Sequence, residues 1–157
     1  MSAPRTPDQS YRAEVVVEAS RERVFEALAT LDGLAGWWTP DVRGSTEVGG
    51  KLTFGFGDEC IVMRIERRDR PVAVAWTCLA HSRFREWQGT EIFFDARSHD
   101  DGRTRLSIEH AGLIPDLGGC YDHCSRRWDH FLGSIAGLAA GEGGSPWQPP
   151  NSVPAGV

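Results

Sequence analysis

The stretch Cys120–Ala140, CYDHCSRRWDHFLGSIAGLAA, decides the fold that this sequence predicts. At about 100° per residue, its apolar side chains fall on one stripe roughly 80° wide. The stripe contains Cys120, Cys124, Trp128, Phe131, Ile135 and Leu138. We therefore predict a long amphipathic helix that begins near residues 117–120 and ends at about Ala140, with Gly141 as the residue after its C-cap. Such a stripe needs a second apolar surface to pack against.

A long run of alternating segments before the helix supplies that surface. Every second position in 52–56, 61–65, 72–78, 90–96 and 104–110 is apolar, except for Thr90, Thr104 and His110 at the ends of the last two segments. Alternation with a period of two is typical of strands that bury one face, and short turns join these segments. The pattern predicts a curved antiparallel meander whose apolar face covers the helix.

The N-terminal part adds one strand and two helical segments. Residues 11–19 contain the β-branched run at 15–17, which favours a strand. Ser20 is a good N-cap for a helix over 21–31, and a short second helix or turn follows until Pro40. We divide the chain into an N-terminal tail (1–10), one folded domain (11–140) and a flexible C-terminal tail (141–157), because both ends lack periodicity.

Composition narrows the classes of function. The 157 residues include 40% apolar and 25% charged residues, with a formal net charge of −5. This acidity argues against nucleic acid as a partner, and no apolar run is long enough to insert in a membrane. The first ten residues carry no apolar stretch of the signal-peptide type, so we expect a cytoplasmic protein with reduced thiols.

The cysteines and histidines of the helix raise the question of a metal site. Cys120 and Cys124 lie on the apolar stripe, whereas His123 and His130 lie roughly 60° and 80° to one side. Arg127 stands between the two groups, and a cation disfavours a nearby divalent metal. We predict no metal, no cofactor and no disulfide within the helix, and two small buried thiols instead. A reactive thiol remains an alternative, since an adjacent base or cation could lower its pKa.

Two further cysteines lie on predicted strands. Cys78 shares a face with Trp76, whereas Cys60 alternates with Ile61. A shift of register would bring Cys60 opposite Cys78, so a contact between them is left open.

The order of elements resembles a known family. The stretches that carry the resemblance are VEASRERVFEALATLDGLAGWW, VGGKLTF, TRLSIEHAGL and CSRRWDHFLGSIAGLAAGEGGSP, which span most of residues 14–146. They resemble the START-like SRPBCC superfamily, in its branch named for the activator of heat-shock-protein-90 ATPase homologue. The resemblance implies an α+β helix-grip fold, in which a six- or seven-stranded antiparallel sheet wraps around the C-terminal helix. It also implies a cavity between sheet and helix that members use for lipids, polyketides or other apolar ligands.

The inward positions of such a fold define a candidate ligand site. The predicted lining comprises Trp37, Trp38, Phe54, Phe56, Ile61, Met63, Trp76, Cys78, Ile92, Phe94, Ile108, His110, Tyr121, Cys124 and Trp128. His110 is the catalytic candidate, since a histidine that points inward could act as an acid or base. Gly33 and Gly36 beside the Trp pair would suit a mobile entrance.

Three functions follow as hypotheses. The first is a binding protein for a small apolar molecule in the cavity. The second is an enzyme of cyclase, dehydratase or hydrolase type that uses His110, with Tyr121 or Cys124. The third is a co-chaperone-like regulator of the heat-shock-protein-90 ATPase. Whether the chain forms a homodimer is left open.

Overall fold

The described part of the chain contains seven strands and three helices. The structure is a computed structural model that describes residues 10–112 and 120–148, apart from the side chains of residues 86 and 120–123. The strands are β1 (Ser10–Val17), β2 (Asp41–Gly44), β3 (Lys51–Phe56), β4 (Glu59–Asp69), β5 (Ala73–His81), β6 (Glu91–Ser98) and β7 (Thr104–Ala111). The helices are α1 (Arg21–Ala29), α2 (Leu31–Trp37) and α3 (Cys120–Ala139), and short 3-10 turns occupy Arg85–Trp87 and Asp100–Gly102.

All seven strands form one antiparallel sheet. Its order is β1-β7-β6-β5-β4-β3-β2, so β2 to β7 are a meander and β1 adds to β7. The register between β4 and β5 shifts twice, at Val62/Met63 and at Ile65/Arg67. Irregularities of this kind increase the local twist and bend of a strand, which helps the sheet to curve around α3. The predicted α+β helix-grip fold is confirmed.

The period-two pattern predicted the inner face of the sheet correctly. The buried residues on this face include Leu52, Phe54, Ile61, Met63, Ile65, Val74, Trp76, Cys78, Ile92, Phe94, Leu106, Ile108 and His110. On α3, Cys124, Trp128, Phe131 and Ile135 are also buried, as the helical stripe predicted. Sheet, α1, α2 and α3 thus share one apolar core.

The sequence did not indicate the strand β2. Its residues, DVRG, show no apolar alternation, and none of the four is buried. Val42 faces Phe54 across the pair, so β2 forms because β3 offers an unpaired edge.

Thr30 divides the predicted N-terminal helix, which was expected to continue to residue 31. Its hydroxyl donates to the carbonyl of Glu26 at 2.7 Å and accepts from the Gly33 amide at 3.0 Å. One side chain therefore ends α1 and caps the start of α2. The short second helix is confirmed, and it delivers Trp37 and Trp38 to the core.

The C-terminal helix ends as predicted, next to Gly141 with φ +83°. The Glu142 amide donates to the Gly137 carbonyl at 2.9 Å, and the Gly141 amide donates to Leu138 at 3.1 Å. These two bonds form a Schellman motif, which needs a residue that adopts a positive φ easily. Among the described residues, no helix is long and apolar enough to cross a membrane.

The register answers the question about the strand cysteines. Cys60 faces Gly55 and Cys78 faces Met63, so the shift that would pair the two cysteines does not occur. Cys60 is exposed, Cys78 is buried, and both are free thiols. Burial raises the pKa of the Cys78 thiol to about 12, so this group is protonated at neutral pH.

Candidate functional site

A pocket of about 200 Å³ lies where the ends of β3, β4 and β5 meet α3 and the C-terminal segment. Its lining consists of Trp38, Phe56, Glu59, Ile61, His81, Arg83, Phe84, Trp87, Cys124, Arg127, Trp128, Phe131 and Trp147. Aromatic side chains dominate this set, and three charged side chains join them. An apolar wall with a few polar groups is typical of small-molecule sites.

The aromatic rings of the pocket form a connected layer. Trp38 lies against Trp128 with ring centroids 5.4 Å apart, and Trp128 is stacked with Trp87 at 6.1 Å and an angle of 15°. On the other side, the centroid of Phe56 lies 5.8 Å from that of Trp38 and 5.7 Å from that of Trp147. Behind this layer, Trp38 also stacks on the fully buried Trp76. Rings that support one another in this way hold the pocket wall in a fixed shape.

Hydrogen bonds link three elements behind the pocket. Trp128 Nε1 donates to His110 Nδ1 at 3.0 Å. Because indole only donates, Nδ1 of His110 is the acceptor and Nε2 carries the proton. His110 Nε2 then donates to Thr90 Oγ1 at 2.9 Å, and Thr90 donates onward to the Trp87 carbonyl. Both nitrogens of His110 are occupied by structural partners.

The buried position of His110 also fixes its charge. The side chain is fully inaccessible to solvent, and desolvation, with a smaller effect of His81, lowers the pKa of His110 to about 3. The imidazole is therefore neutral at physiological pH. It touches two pocket residues without lining the pocket itself, since its ring centroid lies 4.5 Å from that of Trp87.

Charged side chains surround the mouth of the pocket. Arg83 lies over the Phe84 ring, with its guanidinium carbon 4.8 Å from the centroid, and its Nη1 is 3.8 Å from Glu59 Oε1. Arg127 lies over the Phe131 ring at 5.2 Å. The guanidinium groups thus extend the aromatic wall outward to solvent.

The C-terminal segment 141–148 supplies the outer wall. The Trp147 amide donates to the Trp38 carbonyl at 2.7 Å. The Ser145 amide donates to Ser134 Oγ at 2.6 Å, and this hydroxyl donates to the Trp37 carbonyl at 2.8 Å. Through these bonds the segment crosses the end of α3 and places the Trp147 ring beside Phe56. Residues 149–157 of the predicted tail lie outside the described residues, and the domain boundaries stay a prediction.

Solved structures share this architecture. The Aha1 dimer from Colwellia psychrerythraea matches with a TM-score of 0.75 and 25% sequence identity, over 85% of this chain and 97% of that chain. An HSP90 activator from Plasmodium falciparum matches with a TM-score of 0.68 and 20% identity, over 85% and 96%. DynU16, from the dynemicin biosynthetic locus, matches with a TM-score of 0.65 and 19% identity, over 86% of this chain and 49% of that chain. The chain therefore has a START-like fold and is similar to structures that include an Aha1 protein and an HSP90 activator. No protein-family model and no curated protein matches the sequence.

The START-like fold brings together only part of the predicted site. Trp38, Phe56, Ile61, Cys124 and Trp128 line the pocket. Nine others are buried in the core and do not line this pocket: Trp37, Phe54, Met63, Trp76, Cys78, Ile92, Phe94, Ile108 and His110. The side chain of Tyr121 lies outside the described residues. Binding of a ligand by any of them stays a prediction.

Several lining residues were not predicted from the sequence. Four of them, His81, Arg83, Phe84 and Trp87, follow the last alternating position of β5, where the strand pattern ends and no periodic signal marks an inward side chain. Trp147 lies in a Gly- and Pro-rich segment that was assigned to a tail. A lone tryptophan in such a segment is a usable signal, since a large apolar ring is costly to leave in water.

The described residues contain no group of three or more His, Cys, Asp or Glu side chains that could hold a metal ion. The thiol of Cys124 accepts from Trp87 Nε1 at 3.3 Å, which places it in the wall of the pocket. The side chains of Cys120 and His123, part of the predicted cluster, are not described.

Proposed function

We propose that this START-like protein binds a small aromatic molecule in the pocket between the sheet edge and α3. The observation that carries the proposal is the continuous aromatic wall formed by Trp38, Phe56, Trp87, Trp128 and Trp147. A rigid aromatic wall that faces a cavity favours a flat ligand, because ring faces stack on one another. The pocket is smaller than the sites that hold drug-sized ligands, so a ligand of about two fused rings fits best.

The geometry supports binding better than catalysis. The strongest acid–base candidate, His110, is neutral, buried and bonded at both ring nitrogens. A general base needs a free nitrogen within reach of the substrate. Both ring nitrogens of His110 lie behind Trp87 and Trp128, which separate them from the pocket.

A direct binding experiment tests the proposal. Naphthalene-2-carboxylate and naphthalene-2-carboxamide are two-ring probes, and calorimetry should detect at least one of them with a dissociation constant on the order of 100 µM. Phe84→Ala, at the pocket, should weaken binding about fivefold to tenfold. Phe93→Ala is the matched control, because Phe93 is 37% exposed on the outer face of the sheet. If neither probe binds the wild-type protein, the proposed function is wrong.

The names of two similar structures favour a second candidate. One is an Aha1 dimer and the other an HSP90 activator, so regulation of the HSP90 ATPase is a separate proposal for this chain. Purified chaperone should then hydrolyse ATP faster when the protein is added. An unchanged rate, together with no complex on a sizing column, would leave only the binding proposal.

We also propose an oligomeric state and a cellular location for the protein. The Aha1 structure is a dimer, and we propose a homodimer here, to be measured by light scattering on the eluting peak. A cytoplasmic location is also proposed, and the free thiols of Cys60, Cys78 and Cys124 fit a reducing compartment.

A further inference from the structure

The charge at the mouth of the pocket differs from the charge of the whole chain. The chain carries a net charge of −5, whereas the pocket lining contains two arginines, Arg83 and Arg127, and one carboxylate, Glu59. A local excess of positive charge beside an aromatic wall attracts anions. The pocket lining therefore favours an anionic ligand, although the chain as a whole is negatively charged.

Arg127 is the cation that this preference depends on. Many exposed arginines of the protein pair with carboxylates, as Arg97 does with Asp95 and Arg12 with Glu109. Within residues 10–112 and 120–148, Arg127 has no such partner, and its guanidinium carbon lies 5.2 Å from the centroid of the Phe131 ring. It stands beside Trp128 and one turn after Cys124, both of which line the pocket. A guanidinium held over an aromatic ring can still donate its N–H groups to an anion.

Arg83 supplies a second cation that is only loosely held. Its distance of 3.8 Å from Glu59 Oε1 is long for a hydrogen-bonded pair, and both side chains are about half exposed. Exposed pairs of this kind contribute little to stability, so an anionic ligand can take the place of Glu59 at low cost. The two guanidiniums lie on the aromatic rings at the mouth, where the polar end of a ligand would emerge.

From these contacts we propose that the ligand is a small planar aromatic carboxylate. Its rings lie against the aromatic wall, and its carboxylate accepts hydrogen bonds from Arg127, with Arg83 nearby. A guanidinium matches a carboxylate with two parallel N–H···O bonds, which an ammonium group cannot form. This assignment rests on the proposed function, because it requires that the pocket binds a ligand.

Two probes of equal shape test the charge separately from the pocket. Naphthalene-2-carboxylate and naphthalene-2-carboxamide differ in charge but share the same rings. The wild-type protein should bind the carboxylate about tenfold more tightly, since charge-assisted hydrogen bonds are stronger than neutral ones. Arg127→Gln should remove most of this difference, because it should weaken binding of the carboxylate far more than binding of the amide. Arg127→Lys should restore only part of it, because lysine lacks the planar fork.

Arg97→Gln is the matched control, since Arg97 lies on β6 with 79% of its side chain exposed. It should change the affinity for neither probe. Equal binding of both probes to the wild-type protein would overturn the carboxylate proposal and leave the proposed function standing. Loss of both affinities together in Arg127→Gln would overturn the role of Arg127, and no binding of either probe would overturn the proposed function itself.

Discussion

The indole nitrogen of Trp128 donates a hydrogen bond of 3.0 Å to Nδ1 of His110, and this bond joins α3 to the sheet. It is the first of three bonds that run through His110 and Thr90 to the backbone of Trp87. Since Trp87 and Trp128 both line the pocket, a buried polar chain fixes the spacing of two of its walls. His110 is thus a positioning residue: it holds Trp128 directly and Trp87 through Thr90, and it does not line the pocket itself.

Neutrality of His110 makes the stability of the protein depend on pH. Its folded pKa of about 3 lies below the unfolded value of 6.5, so below pH 6.5 the unfolded chain binds a proton that the folded chain does not. The contribution of neutral His110 to the free energy of unfolding is fully present above about pH 6.5, and it decreases as the pH falls from 6.5 toward 3. Between pH 7 and pH 5 the wild type should lose roughly 2 kcal/mol more than His110→Gln.

Urea unfolding of both proteins at the two pH values measures this difference. Nitrogen NMR of the wild type should also show the neutral Nε2–H form of His110 at pH 5. Parallel pH curves for the two proteins, or a charged imidazole at pH 5 in the folded state, would contradict the assignment.

Thr90 is the central link of the same chain. Thr90→Val keeps the shape of the side chain but leaves His110 Nε2–H without its acceptor in the core. A buried donor without a partner costs about 1–3 kcal/mol, and denaturant unfolding should show a loss of this size. Thr53→Val on β3 is the control: Thr53 is only half-buried, so its stability should stay within about 0.5 kcal/mol of the wild type. Equal effects of the two substitutions would show that the chain of bonds adds nothing.

The strands and α3 were predictable because their signals are local and repeated. A period of two placed Phe54, Trp76 and Phe94 on the inner face, and a helical period did the same for Trp128. The strand β2 could not be predicted, because it depends on the free edge of β3 and has no pattern of its own.

The pocket was predicted only in part, since inward phase shows which side a residue faces and not how deep it lies. His110 and Trp76 point inward but are covered by other rings, whereas Phe56 lies at a strand end and reaches the cavity. Trp147 reaches it through a segment that carries no periodicity. Depth along a strand depends on the curvature of the sheet and on loops that close over it, which the sequence pattern does not encode.

The hydroxyl of Ser134 should control how firmly the C-terminal segment closes the pocket. It accepts from the Ser145 amide and donates to the Trp37 carbonyl, so it joins α3, α2 and the segment. Ser134→Ala should cost about 1–2 kcal/mol and speed amide exchange in residues 141–148, because two hydrogen bonds are lost. Ser98→Ala, on an exposed strand end, should change neither quantity. Unchanged exchange in Ser134→Ala would mean that other contacts hold the segment, such as the hydrogen bond of the Trp147 amide and the bond between His130 and the Ser145 carbonyl.

Gly33 and Gly36 were expected to form a mobile entrance beside the Trp pair, but the space around Gly33 indicates close packing. A Cβ on Gly33 would lie 2.4 Å from the Glu26 carbonyl oxygen and 2.6 Å from Ala27 Cα. Both atoms belong to the backbone of α1 and cannot move aside, so Gly33→Ala must push α2 away. We expect a loss of about 1–3 kcal/mol in the free energy of unfolding.

The displacement of α2 should also reach the pocket, because Trp37 and Trp38 follow at its end. Gly33→Ala should therefore weaken binding of the naphthalene probes as well as lower stability. The control is Gly133→Ala on α3, where a Cβ meets nothing within 4 Å. This change should stabilise the protein by up to about 1 kcal/mol through helix propensity alone. A mobile entrance predicts the opposite for Gly33→Ala, since added bulk at a hinge would leave stability nearly unchanged and alter mainly the rates of binding and release.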